Sequence, residues 1–274
     1  MSNLHVEDLS RIPLRSWSRH QGNENAKDEL QQLVRAIRLH GRRAGFRLMF
    51  RGASRGGKTS LIQYAVKCIG CFNLDLVTLD ACHKCRNCIV EHHLYGNVGW
   101  ENYVNFCRPD EVSTPIYYRY VYIDCTTITT GDLDDHLRRV NSDRNLLQIV
   151  YLDEIHRLAR RQMDERLLTP LDRQDVIWIG SSVRLNELDE MLLNRFRIVD
   201  LQKPSASKLG RFLAEVCHEF GVKVESPDTT LIALAELSHQ VTGTALQVLN
   251  FAYQSPAKLL TRAMVDRYVY RVND

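Results

Sequence analysis

Eight residues, Gly52-Ala53-Ser54-Arg55-Gly56-Gly57-Lys58-Thr59, constrain this chain more than any other segment. They follow a short strand pattern, Arg47–Arg51, and precede a helical pattern running from Lys58 to about Ile69. Strand, glycine-rich turn and helix in that order gather backbone N–H groups and the positive end of a helix around one point, where a phosphate can be held. Lys58 is then placed to reach β- and γ-phosphates, and Thr59 to offer its hydroxyl to Mg²⁺. The cradle is assigned to these eight residues together with Ser60.

A second motif supplies the partner chemistry. Gln148-Ile149-Val150-Tyr151-Leu152-Asp153-Glu154 is an apolar strand that ends in two acids. A buried strand ending in an unpaired acid pair is costly unless a cation uses it. Asp153 suits the Mg²⁺ shell, and Glu154 suits orienting and polarising an attacking water.

Further strands are expected at 118–124, 146–153, 176–180 and 198–201. Helices are expected at 23–40, 132–140, about 157–168 and about 185–193. Alternation of this kind predicts a parallel sheet covered on both faces. After Pro204 the pattern changes. Leu209, Phe212, Leu213, Val216, Cys217 and Phe220 fall on one helix face that Gly221 stops, and three more helical segments follow without a strand. The chain therefore divides into an α/β nucleotide-binding domain over 1–204 and a small all-helical lid over 205–274.

The 274 residues carry 36 basic and 33 acidic side chains, a net charge of only +3, so overall charge does not argue for a nucleic-acid partner. Between Leu30 and Ser60, however, eight basic residues occur with no acid, a local field that attracts phosphates. No apolar run suggests a membrane span or a secretion signal, so a cytoplasmic protein is expected. Of the eight cysteines, Cys71, Cys82, Cys85 and Cys88 fall in a spacing that points to metal rather than disulfides. Cys107, Cys125 and Cys217 read as core residues.

These motifs together resemble the AAA+ ATPases. The phosphate loop, the Asp153-Glu154 strand end, a strand ending Ile179-Gly180-Ser181-Ser182, then Asn194-Arg195-Phe196 and a helical lid follow that family's order. The pattern is most similar to bacterial clamp-loader motor subunits and Holliday-junction branch-migration motors. The segment Gln21-Gly22-Asn23-Glu24-Asn25-Ala26 looks like their motif beside the adenine. The resemblance implies ATP and Mg²⁺ as ligands, with Lys58 and Glu154 catalytic. It places Ser182 as the polar sensor of the γ-phosphate, and Arg195 as the finger reaching a neighbouring subunit's ATP, with Arg197 the competing candidate. The four cysteines resemble the zinc module of clamp-loader motors, an insertion at about 71–117. Four thiolates close a tetrahedral Zn²⁺ site, which implies a structural ion. Cys68, His83, His92 or His93 could stand in for Cys71, and an iron–sulfur cluster is the other ion such spacing admits.

Two positions depart from the family. Arg55 stands where its phosphate loop has glycine, with Gly56 next door to compensate. Leu246, in Gly243-Thr244-Ala245-Leu246, stands where a second sensor arginine belongs, which implies slow hydrolysis. Arg157, Arg160 and Arg161 fall at i, i+3 and i+4 on the helix expected after Asp153-Glu154 and so share one face. In related rings, helices near this place face a channel that follows a nucleic-acid backbone. A module ending at the lid is similar to transposition-regulator and helicase-loader ATPases. The expectation is an ATP-hydrolysing protein that assembles into a ring or filament, or into a mixed AAA+ complex, and acts on DNA. A slow DNA-bound ATP switch recruiting a partner such as a transposase or helicase is the alternative.

Overall fold

The computed structural model describes residues 8–9, 12, 14–20, 22–40, 45–85, 88, 101–104, 118–142 and 147–273. Its centre is a six-stranded sheet in the order β2-β3-β4-β5-β1-β6. The strands are β1 (Arg47–Arg51), β2 (Glu101–Val104), β3 (Tyr118–Asp124), β4 (Leu147–Asp153), β5 (Val176–Ser182) and β6 (Arg197–Asp200). Five run parallel, and only β2 pairs antiparallel, on the outer edge of β3. The parallel register aligns Asp124 with Asp153, and Arg51 with Ser182, so the functional strand ends form one row.

Both sheet faces are covered, which is why β4 and β5 read as unbroken apolar runs instead of alternating ones. On one face pack helix α1 (Glu24–His40), through Leu30, Leu33, Val34 and Ile37, and helix α2 (Lys58–Gly70), through Leu61, Ile62, Ala65 and Ile69. Helix α3 (Thr130–Ser142) lies on the other with Leu133, Leu137 and Val140. Large apolar side chains buried this way each contribute roughly 1.5–3 kcal/mol.

Two expected helices are broken. The stretch 157–168 is a single turn, α4 (His156–Ala159), a 3₁₀ turn over Asp164–Leu167, and α5 (Leu168–Leu171). Gln162, at φ +55°, takes a left-handed conformation that a continuous helix cannot contain. The stretch 185–193 is a 3₁₀ turn followed by α6 (Glu190–Leu193), because extended Leu188 leads into Asp189, which caps the new helix by accepting from Met191 N at 2.7 Å. Strand β2 has no counterpart among the strands expected from the sequence.

Beyond Ser205 the chain forms α7 (Ala206–Phe220), α8 (Pro227–Leu237), α9 (Thr242–Gln254) and α10 (Arg262–Asn273) around a core of their own. This region is not purely helical: β7 (Lys223–Val224) and β8 (Leu259–Leu260) form a short parallel ladder. Gly221 ends α7 at φ +68°, as its position after the apolar face predicts.

A leading segment ties these parts together. Leu9 is buried in the C-terminal core, and its N–H donates to Asn250 Oδ1 at 2.9 Å. Arg15 and Arg19 pair with Glu219 on α7. Trp17 packs edge-on to Tyr64 of α2, donating its indole N–H to Leu79 O at 2.8 Å and its backbone N–H to Asp80 at 2.9 Å.

Candidate nucleotide site and cysteine cluster

The phosphate loop turns between β1 and α2. Gly57 takes φ +87°, and a Cβ there would stand 2.6 Å from His20 Cε1, so backbone and space both demand glycine. Arg55 takes φ +59° itself while Gly56 has no left-handed geometry, so Gly56 does not compensate for the missing glycine. Lys58 is buried, and its Nζ donates to Gly52 O at 2.9 Å and Ala53 O at 2.8 Å. Burial lowers its pKa, opposed by the charges of Glu154 and Asp153, so the cation faces the acids at the end of β4.

Asp153 is held by a set of donors that the sequence alone did not reveal. Tyr151 donates to Oδ1 at 2.7 Å and Ser181 to the same oxygen at 2.5 Å, while Tyr122 donates to Oδ2 at 3.1 Å. Thr59 Oγ1 lies 3.4 Å from Oδ2 and 3.2 Å from the Tyr151 hydroxyl. Thr59 and Asp153, 94 residues apart in sequence, thus meet at hydrogen-bonding distance. An acid and a hydroxyl converging beside a phosphate cradle fit a hard, oxygen-liganded Mg²⁺.

Glu154 follows at φ +52°, a strained backbone of the kind found at working sites. Its Oε2 is buried without a hydrogen bond and lies 3.3 Å from His156 Nδ1. Burial raises the Glu154 pKa, Lys58 opposes that, and Asp153 adds to it. An orphaned carboxylate oxygen of raised basicity fits the task of accepting a hydrogen bond from water. Ser182 is fully buried and lies 3.1 Å from His156 Nδ1 by its Oγ, which also accepts from Arg184 N at 2.9 Å. Burial lowers the His156 pKa. Of the two serines closing β5, therefore, Ser181 touches Asp153 and Ser182 reaches Glu154 only through His156.

The remaining expected residues are less concentrated. Arg195 donates to Asp172 at 3.0 Å and to Met191 O at 2.8 Å; Arg197 is more exposed and pairs with Glu29. Leu246 is buried in the C-terminal core. Arg157, Arg160 and Arg161 do not share one helix face, since α4 ends at Ala159. Arg160 makes a bidentate pair with Glu187 at 2.6 and 2.7 Å, and the Arg161 guanidinium is spent on the carbonyls of Cys125 and Ile128. Arg157 is exposed. The basic run is dispersed as well: Arg38 caps Cys71 O, Arg51 pairs with Asp200, and Arg55 bonds Gln247. Arg42 and Arg43 lie outside the described residues, as do Gln21, His92, His93 and Cys107. Gly22, Asn23 and Asn25, with Asp200, Gln202 and Lys203, line a cavity of about 160 Å³.

Cys71, Cys82, Cys85 and Cys88 bring their sulfurs within 4.8 Å of one another. Four thiolates around Zn²⁺ at about 2.3 Å stand roughly 3.8 Å apart, so little movement closes the shell. Backbone N–H groups already point at the sulfurs: Cys82 N at 3.2 Å from Cys71 Sγ, and Cys85 N at 3.3 Å from Cys82 Sγ. Hydrogen bonds from the Cys88 thiol and the Cys82 N–H pull the Cys71 pKa down, the direction a ligand thiolate needs. Cys68 stays apart, its thiol pushed up by burial and by Asp80, and His83 donates to Arg15 O at 2.6 Å. The geometry thus gathers Cys71, and neither of these, with the other three.

Sheet order, phosphate loop and acidic strand end define a P-loop protein of nucleotide-hydrolysing type. The model for the ATPase family associated with various cellular activities (AAA) matches residues 48–202, and the chain belongs to that family. Among solved structures, a variant of Thermotoga maritima RuvB is 18% identical, covering 97% of this chain and 73% of its own at a TM-score of 0.56. A second RuvB variant is 17% identical, with 96% and 74% covered and a TM-score of 0.58. Caenorhabditis elegans PCH-2 is 16% identical, with 94% and 70% covered and a TM-score of 0.54. At such identities the likeness concerns the fold. No curated protein matches by sequence. No helix among the described residues is long and apolar enough to cross a membrane.

Proposed function

We propose that the protein binds and hydrolyses ATP with Mg²⁺, that residues 205–274 act as its lid, and that it assembles with nucleotide to act on DNA. The observation that carries the hydrolytic part is the convergence of Lys58 and Thr59, at the start of α2, on Asp153 and Glu154, at the end of β4. The backbone of 52–60 and Lys58 hold the phosphates, and Thr59 and Asp153 hold Mg²⁺, which when bound neutralises charge developing on the phosphates. Glu154 orients the water and takes up hydrogen-bonding demand at Oε2, while His156 and Ser182 fix its surroundings. The adenine is assigned to the cavity beside Asn23 and Asn25.

Self-association rests on Arg195. Its pair with Asp172 is near the surface, where such pairs contribute little, so exchange for a neighbour's phosphate is cheap. The DNA part rests on the family resemblance and on Arg157, since Arg160 and Arg161 are engaged within the chain. A slow ATP switch recruiting a protein partner is the second reading, favoured by buried Leu246 in place of a lid arginine. Zinc on the four cysteines is structural in either case. Phosphate release and nucleotide affinity of Lys58→Ala and Glu154→Gln test the core of the proposal. Lys58→Ala should lose binding, whereas Glu154→Gln should bind and not turn over; an active Glu154→Gln protein refutes the assigned role.

A further inference from the structure

Arg55 is strained where it stands. Its backbone is left-handed at φ +59°, a conformation that glycine adopts without the cost a side chain incurs. Two contacts hold it there, both to α9. Its carbonyl accepts from Gly243 N at 3.0 Å, satisfying one of the free N–H groups in the first turn of that helix. Its guanidinium Nη1 donates to Gln247 Oε1 at 2.6 Å, one helical turn further on. The approach is close enough to require glycine on the other side too, because a Cβ on Gly243 would stand 2.7 Å from Arg55 Cβ and 2.8 Å from Arg55 O. Between these two contacts Leu246 turns into the C-terminal core, so the helix presents an acceptor, Gln247, and no cation to the phosphate loop.

We infer that Arg55 is a positioning residue that couples the phosphate loop to the lid, with the arginine on the loop and its acceptor on the lid. The inference rests on the proposed ATP reading and adds to it the means by which lid position follows loop occupancy. A phosphate entering the loop re-aims the N–H groups of residues 53–58. Arg55 lies within that run, so its carbonyl and guanidinium move with it, and they carry the start of α9 with them through the bonds to Gly243 and Gln247. The lid then needs no phosphate-binding arginine of its own.

The test uses the full chain, Mg²⁺ and a non-hydrolysable ATP analogue. It measures analogue affinity, hydrogen exchange over 242–249, and kcat and KM for ATP. In the wild type the analogue should slow exchange in the first two turns of α9. Gln247→Ala should bind the analogue yet lose most of that protection. Its kcat should fall roughly tenfold, the scale of one charge-assisted hydrogen bond, with KM little changed. Gln247→Glu keeps the acceptor and should restore both protection and kcat. Arg55→Gly suits the left-handed backbone and keeps the carbonyl bond to Gly243, so it should fold at least as well as wild type while losing the guanidinium part of the coupling, as Gln247→Ala does. Wild-type protection and kcat in both Gln247→Ala and Arg55→Gly overturn the inference. Failure of the wild type to bind the analogue refutes the nucleotide reading itself, and the affinity measurement tells the two failures apart.

Discussion

His20 gives the sharpest expectation about acid stability. It is buried against the phosphate loop, its Nε2 lies 2.9 Å from Asn23 Nδ2, and its carbonyl accepts from Lys27 Nζ at 3.0 Å. The Asn23 amide donates to Nε2, which only a neutral ring can accept. Burial, and next the charge of Lys27, lower its pKa from 6.5 to about 4, with Glu24 opposing. The unfolded chain therefore binds this proton more readily than the folded one, and stability falls as pH drops through the window from 6.5 to 4. Above 6.5 the group contributes no pH dependence. By linkage, the loss at pH 4.5 relative to pH 7 amounts to about 2.5 kcal/mol from this one side chain. Gln in its place offers an acceptor to Asn23 and does not titrate. Urea unfolding of wild type and His20→Gln at pH 7, 6, 5 and 4.5 isolates the effect, because all other groups titrate alike in both. The two stability curves should converge or cross on acidification, with the wild type falling faster. Parallel curves refute a neutral, buried His20.

Other consequences are open to equally direct measurement. Because burial raises the Glu154 pKa, the acid limb of kcat should lie above the ordinary carboxylate range; a limb at or below that range contradicts its role as the group that must be ionised. Tyr151→Phe removes one donor from Asp153 and should weaken the Mg²⁺ dependence of turnover roughly tenfold at retained nucleotide affinity, read from Mg²⁺ titrations. Elemental analysis should find about one zinc per chain. Cys85→Ser should give insoluble or partly unfolded protein, since closed thiolate sites contribute roughly 10–16 kcal/mol in small zinc modules; a fully folded, zinc-free variant excludes a structural ion. If DNA is bound through phosphates, log affinity should fall with log salt at about −0.9 per contact on duplex DNA. Arg157→Ala and Arg195→Ala should flatten or abolish that dependence, and identical slopes in all three proteins remove the channel reading.

What could be read from the sequence was local. The phosphate loop and the acid pair are contiguous strings whose strand and helix neighbours lie within ten residues, and the structure places both strings at the expected ends. Parallel strands buried on both faces announce themselves as apolar runs, so β3, β4 and β5 were legible. What was not legible depends on pairs distant in sequence. Nothing near Tyr122 or Ser181 marks them as donors to Asp153; only the register of β3, β4 and β5 does so. His20 meets Gly57 through tertiary packing alone. The arginines after Glu154 misled for a physical reason: their spacing suits a helix, but Arg161 reaches back to the carbonyls of Cys125 and Ile128, and left-handed Gln162 ends the turn. Asp189, a capping residue inside an expected helix, was the one signal in the sequence that could have divided 185–193 correctly.

The placement of Trp17 gives the protein a built-in optical gauge of its cysteine cluster. The indole N–H donates to Leu79 O and the Trp17 backbone N–H to Asp80, both on the loop joining Cys71 to Cys82, and the indole packs on the ring of Tyr64. Trp178, sealed in β5, lies in the core on the opposite face of the sheet. If zinc is bound there, removing it should free the loop and wet the Trp17 indole while Trp178 stays dry. The third tryptophan, Trp100, lies outside the described residues, so the change is read as the difference between wild type and Trp17→Phe. Emission of the wild type should then shift to the red by more than that of Trp17→Phe. Such a signal would report metal occupancy in unlabelled protein and in real time.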